Sequence, residues 1–219
     1  MAHTFDTKLR TTGADNPQVQ SYTVGAGATL MVVGIVTAGA TARAGGVPSF
    51  NGDPLTQVDS TRVATETCAE LWYLVNPSIG TAYDLVIPNT GTKTLYVQTS
   101  TYKAQSGKTS GFDLGTGNTG TSANPSLTVI TTVNGDVLVD TLGDGLTSVP
   151  TANSDTLLSS TDNGQHIDAC QYELQASLGS ATLSYTIGSD DWAMVLGAWK
   201  EVDPTAAVIT DLKQFDTDH

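Results

Sequence analysis

Basic residues are scarce in this chain: 6 Lys and 3 Arg stand against 22 acids, for a formal net charge of −13. Such a balance repels phosphate backbones and anionic membrane surfaces, and there is no basic patch from which counterions could be released. Neither nucleic acid nor membrane is therefore expected as a partner. Glu is rarer still, at 4, so 18 of the acids are Asp, scattered through turn-like stretches. With Glu, Lys and Arg this few, long helices lack their usual formers. No apolar run approaches the roughly 20 residues of a membrane span, and the opening "MAHTFDTKLRTTGADNPQ" lacks the apolar stretch of a secretory signal. A soluble chain not exported by the usual route is expected. The cysteines are two, Cys68 and Cys170. They read most simply as buried thiols behaving as small apolar side chains; a disulfide between them stays open.

What is abundant points one way. Thr occurs 35 times and Gly 22 times in 219 residues, and β-branched residues suit a pleated surface. Short apolar segments recur, each cut off by Gly, Pro, Asn or Asp. Strands are expected near Val19–Val24, Thr29–Thr37, Pro48–Phe50, Leu55–Val58, Thr67–Val75, Tyr83–Ile87 and Thr94–Tyr102. Later ones fall near Ser126–Val133, Asp136–Thr141, Ala169–Leu178, Ala181–Ile187 and Trp192–Val202. This rhythm marks an all-β antiparallel two-sheet β-sandwich rather than strands alternating with helices. The length suits one such domain, large enough to fold without staples. "NGDP" at Asn51–Pro54, "NGD" at Asn134–Asp136 and "LGSA" at Leu178–Ala181 have the chemistry of tight hairpins. The polar stretches Ala104–Asn124 and Val149–Gly164 read as long loops.

The two aromatic segments belong inside. In "ELWYLV", Trp72 and Leu74 share one strand face, while Leu71, Tyr73 and Val75 share the other. In "DWAMVLGAWK", Trp192, Met194, Leu196 and Ala198 oppose Ala193, Val195 and Trp199. Both faces are apolar, as in strands covered on both sides. The tail "DPTAAVITDLKQF" differs: Asp203 can cap and Pro204 can begin a short amphipathic helix with Val208, Leu212 and Phe215 on one face. Alone it would be marginal, so it should dock on something. The expected plan is an N-terminal arm over 1–18, a sandwich over 19–202 and a C-terminal arm or helix over 203–219.

Catalytic constellations do not assemble from the sequence. "AQSGKTS" at Ala104–Ser110 imitates a phosphate loop, but Tyr102 stands where its first Gly belongs and no helix follows. No G-x-S-x-G elbow occurs. His166 stands alone near Asp168, and His3 and His219 are terminal. The oxygen-rich "DTLGDG" at Asp140–Gly145 and "STDNGQ" at Ser160–Gln165 miss the spacing of a calcium loop and read as turns. No catalytic, cofactor or metal residue is assigned. Tyr96 and Tyr102, on one face of "TLYVQTSTYK" with Gln98 and Ser100, are the candidate glycan contacts.

The segments "TLMVVGIVT", "PSFNGDPLTQV", "AELWYLVNPSIGT", "GDVLVDTLG" and "ATLSYTIGSDDWAMVLGAWKEV", spanning Val19 to Val202, resemble a jelly-roll-like β-sandwich module. That module is found in bacteriophage virion proteins and in some bacterial surface and secreted proteins. The resemblance implies the fold and transfers no site residue. It leaves function open, since such modules serve as virion parts and as glycan- or surface-binding appendages. A free-standing acidic sandwich with terminal arms and no secretory signal is expected to be a non-enzymatic capsid decoration (cement) protein, made in the host cytoplasm and placed on the outer capsid surface. Its partners would be the major capsid protein and further copies of itself, a trimer being favoured, with Val208, Leu212 and Phe215 as the interaction arm. The alternative is a carbohydrate-binding or adhesin module of a phage tail, a fibre or a bacterial surface protein.

Overall fold

The structure, a computed structural model, describes residues 3–39, 43, 45–63, 67–91, 93–145, 149–153, 156–162 and 167–204. Among the described residues there are strands and no helix. The first half holds β1 (Thr4–Gly13), β2 (Gln18–Val24), β3 (Leu30–Ala38), β4 (Ser49–Phe50), β5 (Asp53–Pro54), β6 (Thr56–Arg62), β7 (Thr67–Val75), β8 (Gly80–Ile87) and β9 (Leu95–Lys103). The second holds β10 (Thr109–Gly120), β11 (Ser126–Thr131), β12 (Asp136–Asp144), β13 (Thr151–Ala152), β14 (Thr156–Asp162), β15 (Ile167–Gln175), β16 (Gly179–Thr186) and β17 (Trp192–Val202).

All pairings are antiparallel. A sheet ordered β1-β9-β3-β7-β6 lies with a smaller one ordered β2-β8-β4-β5; in the second half β10-β17-β12-β15-β14 lies with β11-β16-β13. Apart from β5, which has no counterpart among the described residues, the two orders are the same. β10 takes the place of β1, β11 of β2, β12 of β3 and β13 of β4, while β14, β15, β16 and β17 take those of β6, β7, β8 and β9. In each half the first strand pairs the last and the second pairs the next-to-last, which is jelly-roll connectivity. The single sandwich expected over 19–202 is therefore two sandwiches in tandem, joined through their larger sheets.

Three apolar layers hold this stack together. Met31, Val33, Ile35, Phe50, Trp72 and Leu85 fill the first sandwich, and Leu138, Leu142, Leu183, Tyr185, Trp192 and Met194 fill the second. Leu30, Val32, Leu71 and Tyr102 from one large sheet meet Val137, Val139, Val195 and Trp199 from the other. The large sheets are thus covered on both faces, which is why β3, β7 and β17 read as near-continuous apolar runs. Each such side chain stabilises by about 1.5–3 kcal/mol when fully buried. The facing assignments made for the two tryptophan strands hold in the structure.

Where the large sheets meet, equivalent positions face one another. Leu30 pairs Val75 and Tyr102, as Val137 pairs Leu174 and Trp199, so Gly34 corresponds to Thr141 and Val36 to Gly143. A Cβ on Gly34 would lie 2.8 Å from the Thr141 side chain, and one on Gly143 would lie 2.8 Å from Val36. Each contact is a glycine against a β-branched partner. The close approach extends to β6 and β10, where a Cβ on Gly115 or Gly117 would collide with Val58 or Thr61.

This explains the main departure from expectation. The polar stretch Ala104–Asn124 holds the twelve-residue strand β10, not a loop. Its glycines are a condition of packing against β6. Likewise Val149–Gly164 contains β13 and β14, and "DTLGDG" begins inside β12. The segment 1–18 is not an arm: Thr4–Gly13 pairs along β9. The expected helix, with Val208, Leu212 and Phe215, lies outside the described residues.

One local device appears in both halves. The register shifts between Phe5 and Thr7 and again between Phe112 and Leu114, making Asp6 and Asp113 the extra residues of two bulges. Asp6 accepts bonds from the Gly25 N–H and Thr101 Oγ1, both at 3.0 Å, and pairs Lys103 at 2.7 Å. Asp113 accepts from the Thr132 N–H at 3.0 Å and Thr132 Oγ1 at 2.6 Å, and pairs Lys200 at 2.9 Å. The preceding phenylalanines stack on the opposite half, Phe5 on Tyr172 at 5.4 Å and Phe112 on Tyr73 at 5.2 Å.

Candidate functional site

The residues expected to meet a glycan do not reach solvent. Tyr96 is 2% exposed and Tyr102 is fully buried. The whole of β9 up to Tyr102 is covered, because its polar side chains lie between layers rather than outside. Arg10 covers the Tyr96 ring at 5.7 Å, and Tyr102 packs against Phe5 and Tyr172. Those two tyrosines are corrected from surface contacts to core. Trp72, Trp192 and Trp199 are likewise inside, at 6%, 5% and 0% exposure. His166 lies outside the described residues.

Buried polar clusters differ between the halves. In the first, Glu70 accepts from Arg43 Nη2 at 3.0 Å and Trp72 Nε1 at 2.9 Å, while Arg43 also donates to the Gly46 and Pro88 carbonyls. In the second, Asp140 accepts from Tyr185 at 2.6 Å, from the Gln171 N–H at 3.1 Å and from Gln171 Nε2 at 2.9 Å. Each carboxylate is enclosed by donors, as a buried charge requires. Asp140 is thereby removed from the calcium-like turn in which the sequence placed it. Among the described residues no three His, Cys, Asp or Glu side chains are grouped to hold a metal ion.

His3 is also buried, not loose. Its Nε2 lies 2.9 Å from Ser110 Oγ and its Nδ1 3.3 Å from the Gly135 carbonyl. Burial pulls its pKa below the ordinary value, with the Gly135 bond and the Glu201 charge opposing. The distance suits a base and a nucleophile, but both side chains are sealed and Ser110 also meets Thr29 at 2.8 Å. The pair fastens the start of the chain to the second sandwich. Nearby, fully buried Asp136 has no hydrogen-bond donor on either oxygen. Burial, then the charge and hydrogen bond of Asp113, push its carboxyl up to about 7, with Lys200 opposing.

An open cleft of about 390 Å³ beside the β4–β5 hairpin is lined by Ser49, Asn51, Tyr83 and Asp84. A second cavity, of about 220 Å³, lies between the large sheets where β1 and β9 face β14 and β15. Long side chains bridge the sheets there. Arg10 binds Asp168 through both nitrogens, at 2.9 and 2.5 Å; Gln98 donates to the same carboxylate, and Lys8 to the Leu158 carbonyl. Cys170 lines this cavity. Both cysteines are free and buried, and burial pushes the Cys68 thiol up to about 11 and Cys170 well above the ordinary value. They are protonated thiols, not nucleophiles.

Four of the eight exposed large apolar residues fall in matched pairs. Val47 is 52% and Val149 56% exposed, each opening the corresponding segments "VPSFNGDPL" and "VPTANSDTL". Ile79 is 51% and Leu178 62% exposed, in the corresponding turns "SIGTA" and "SLGSA". Equivalence of the strand ends at Asn51 and Asn153 is structural: the Asn51 N–H bonds the Asp84 carbonyl as the Asn153 N–H bonds that of Ser184. The duplication is not visible in any one of these segments alone, but their comparison reveals it. Compared with known proteins, the chain matches no family model, no curated protein and no solved structure.

Proposed function

We propose that the protein is a non-enzymatic structural component that coats a large repetitive assembly: a decoration protein on the outside of a phage head, bound to several copies of the major capsid protein. One observation carries the reading. Core positions have diverged between the halves, as Val33 against Asp140, yet the exposed positions Val47 and Val149, and Ile79 and Leu178, stay apolar in both. Solvent gives no reason to keep such a side chain twice; a partner presenting the same surface repeatedly does. The duplicated, layered body with its tryptophans inside supplies rigidity, and its acidic charge limits unwanted association.

Co-sedimentation with purified phage heads tests this. The wild type pellets to saturation. The paired changes Val47→Asp with Val149→Asp, or Ile79→Asp with Leu178→Asp, lower occupancy at least tenfold with unchanged thermal midpoints. A wild type that stays in the supernatant removes the reading. The open cleft supports a second one, carbohydrate binding, now at Tyr83, Asp84 and Asn51 rather than Tyr96 and Tyr102. A glycan array with Tyr83→Ala as control separates the two.

A further inference from the structure

The cavity between the large sheets is specific to one side of the molecule. On the other side the glycines of β10 bring its backbone close against Val58 and Thr61 of β6. On the open side, two of the chain's nine cations, Lys8 and Arg10, line the gap. Asp168 neutralises Arg10. Lys8 donates to a backbone carbonyl and has no carboxylate within ion-pair distance among the described residues.

Two polar atoms in this lining lack partners. Gln98 is 4% exposed; its amide nitrogen serves Asp168, and its Oε1 accepts nothing. Ser159 Oγ is buried and unbonded as well. Leu158 and Cys170 supply apolar wall. A buried acceptor without a donor is costly, and a bound donor would recover that cost. Lys8, exposed at the rim without a carboxylate partner among the described residues, the buried unmet acceptor Gln98 Oε1 and an apolar wall describe a complementary molecule.

We infer that this cavity binds a small amphipathic monocarboxylate bearing a hydroxyl group. The carboxylate meets Lys8, the hydroxyl donates to Gln98 Oε1, and the apolar body lies against Leu158 and Cys170. Size sets the class. An apolar cavity near 150 Å³ takes up benzene, so about 220 Å³ suits a substituted ring of about ten non-hydrogen atoms. The site is independent of the proposed head contacts, which lie at exposed turns.

Isothermal titration of the full chain with 4-hydroxybenzoate tests it. Dissociation constants of roughly 0.1–1 mM are expected for a ligand this small. Benzoate, lacking the hydroxyl donor, should bind about fivefold more weakly. Lys8→Met, which keeps the stem and removes the charge, should weaken 4-hydroxybenzoate about tenfold. Leu158→Trp should fill the cavity and abolish binding; if it fails to fold, Lys8→Met alone decides. Absence of heat with wild type at millimolar ligand overturns the inference. So does binding that Lys8→Met leaves unchanged.

Discussion

The two halves share one strand order but solve their interior problems differently. The first encloses a carboxylate with an arginine and an indole, Glu70 with Arg43 and Trp72; the second encloses one with a phenol and an amide, Asp140 with Tyr185 and Gln171. At the seam the difference becomes necessary. A symmetric dimer would set identical residues against each other: two threonines would clash, and two glycines would leave a void. Duplication within one chain allows Gly34 against Thr141 and Val36 against Gly143. The same freedom gives one side of the seam a glycine-rich strand and close contact, and leaves the other side splayed around a cavity.

That contrast can be broken at its centre. Trp199, fully buried in the layer shared by both halves, should cost about 3–5 kcal/mol when changed to Ala. Its loss should unfold both halves in one transition, read by denaturant melts with probes on each half. Two separate transitions would show that the seam does not couple them. Gly34→Thr should cost about 1–3 kcal/mol through overpacking against Thr141. The reciprocal pair, Gly34→Thr with Thr141→Gly, should recover at least half of that loss, a coupling that a double-mutant cycle measures. Simple addition of the two single effects would mean the contact is not a knob in a hole.

The smallest effect depends on pH. Asp136 has a folded-state pKa of about 7, above its unfolded value. Its protonated form therefore supports the fold at low pH, and that support is lost as pH rises through about 7. Asp6 and Asp113 have the opposite sense. Burial pushes both up, but hydrogen bonds and their lysines hold them below the ordinary value, so their contribution is lost only on strong acidification. Asp136→Asn should raise stability at pH 8.5 by about 1–2 kcal/mol after solvent screening, and much less at pH 5. Thermal melts at the two pH values check the sign. A gain at pH 5 as large as that at pH 8.5 would remove Asp136 as the group responsible.

Much of the fold was legible because strand periodicity is local. Trp72 and Leu74 could be set against Leu71 and Tyr73 from spacing alone, and the structure keeps that division. Tyr96 and Tyr102 were misread for a related reason. Alternation says which residues share a face, and polar neighbours such as Gln98 and Ser100 suggested that the face was wet. It is a polar seam between two sheets, where Gln98 meets Asp168 from far along the chain. β10 was illegible because its glycines answer to Val58 and Thr61 on another strand, not to its own turn chemistry. The unpartnered Oε1 of Gln98 and the cavity gave no sequence signal at all.

By itself the sequence determined an acidic, all-β chain with its tryptophan strands indoors, because composition and period-two alternation act over a few residues. Only the tertiary structure decided that there are two stacked sandwiches, which side of the seam closes and where Lys8 is left without a counter-charge. Those outcomes depend on volumes and charges brought together from opposite halves, and no local pattern encodes such a meeting.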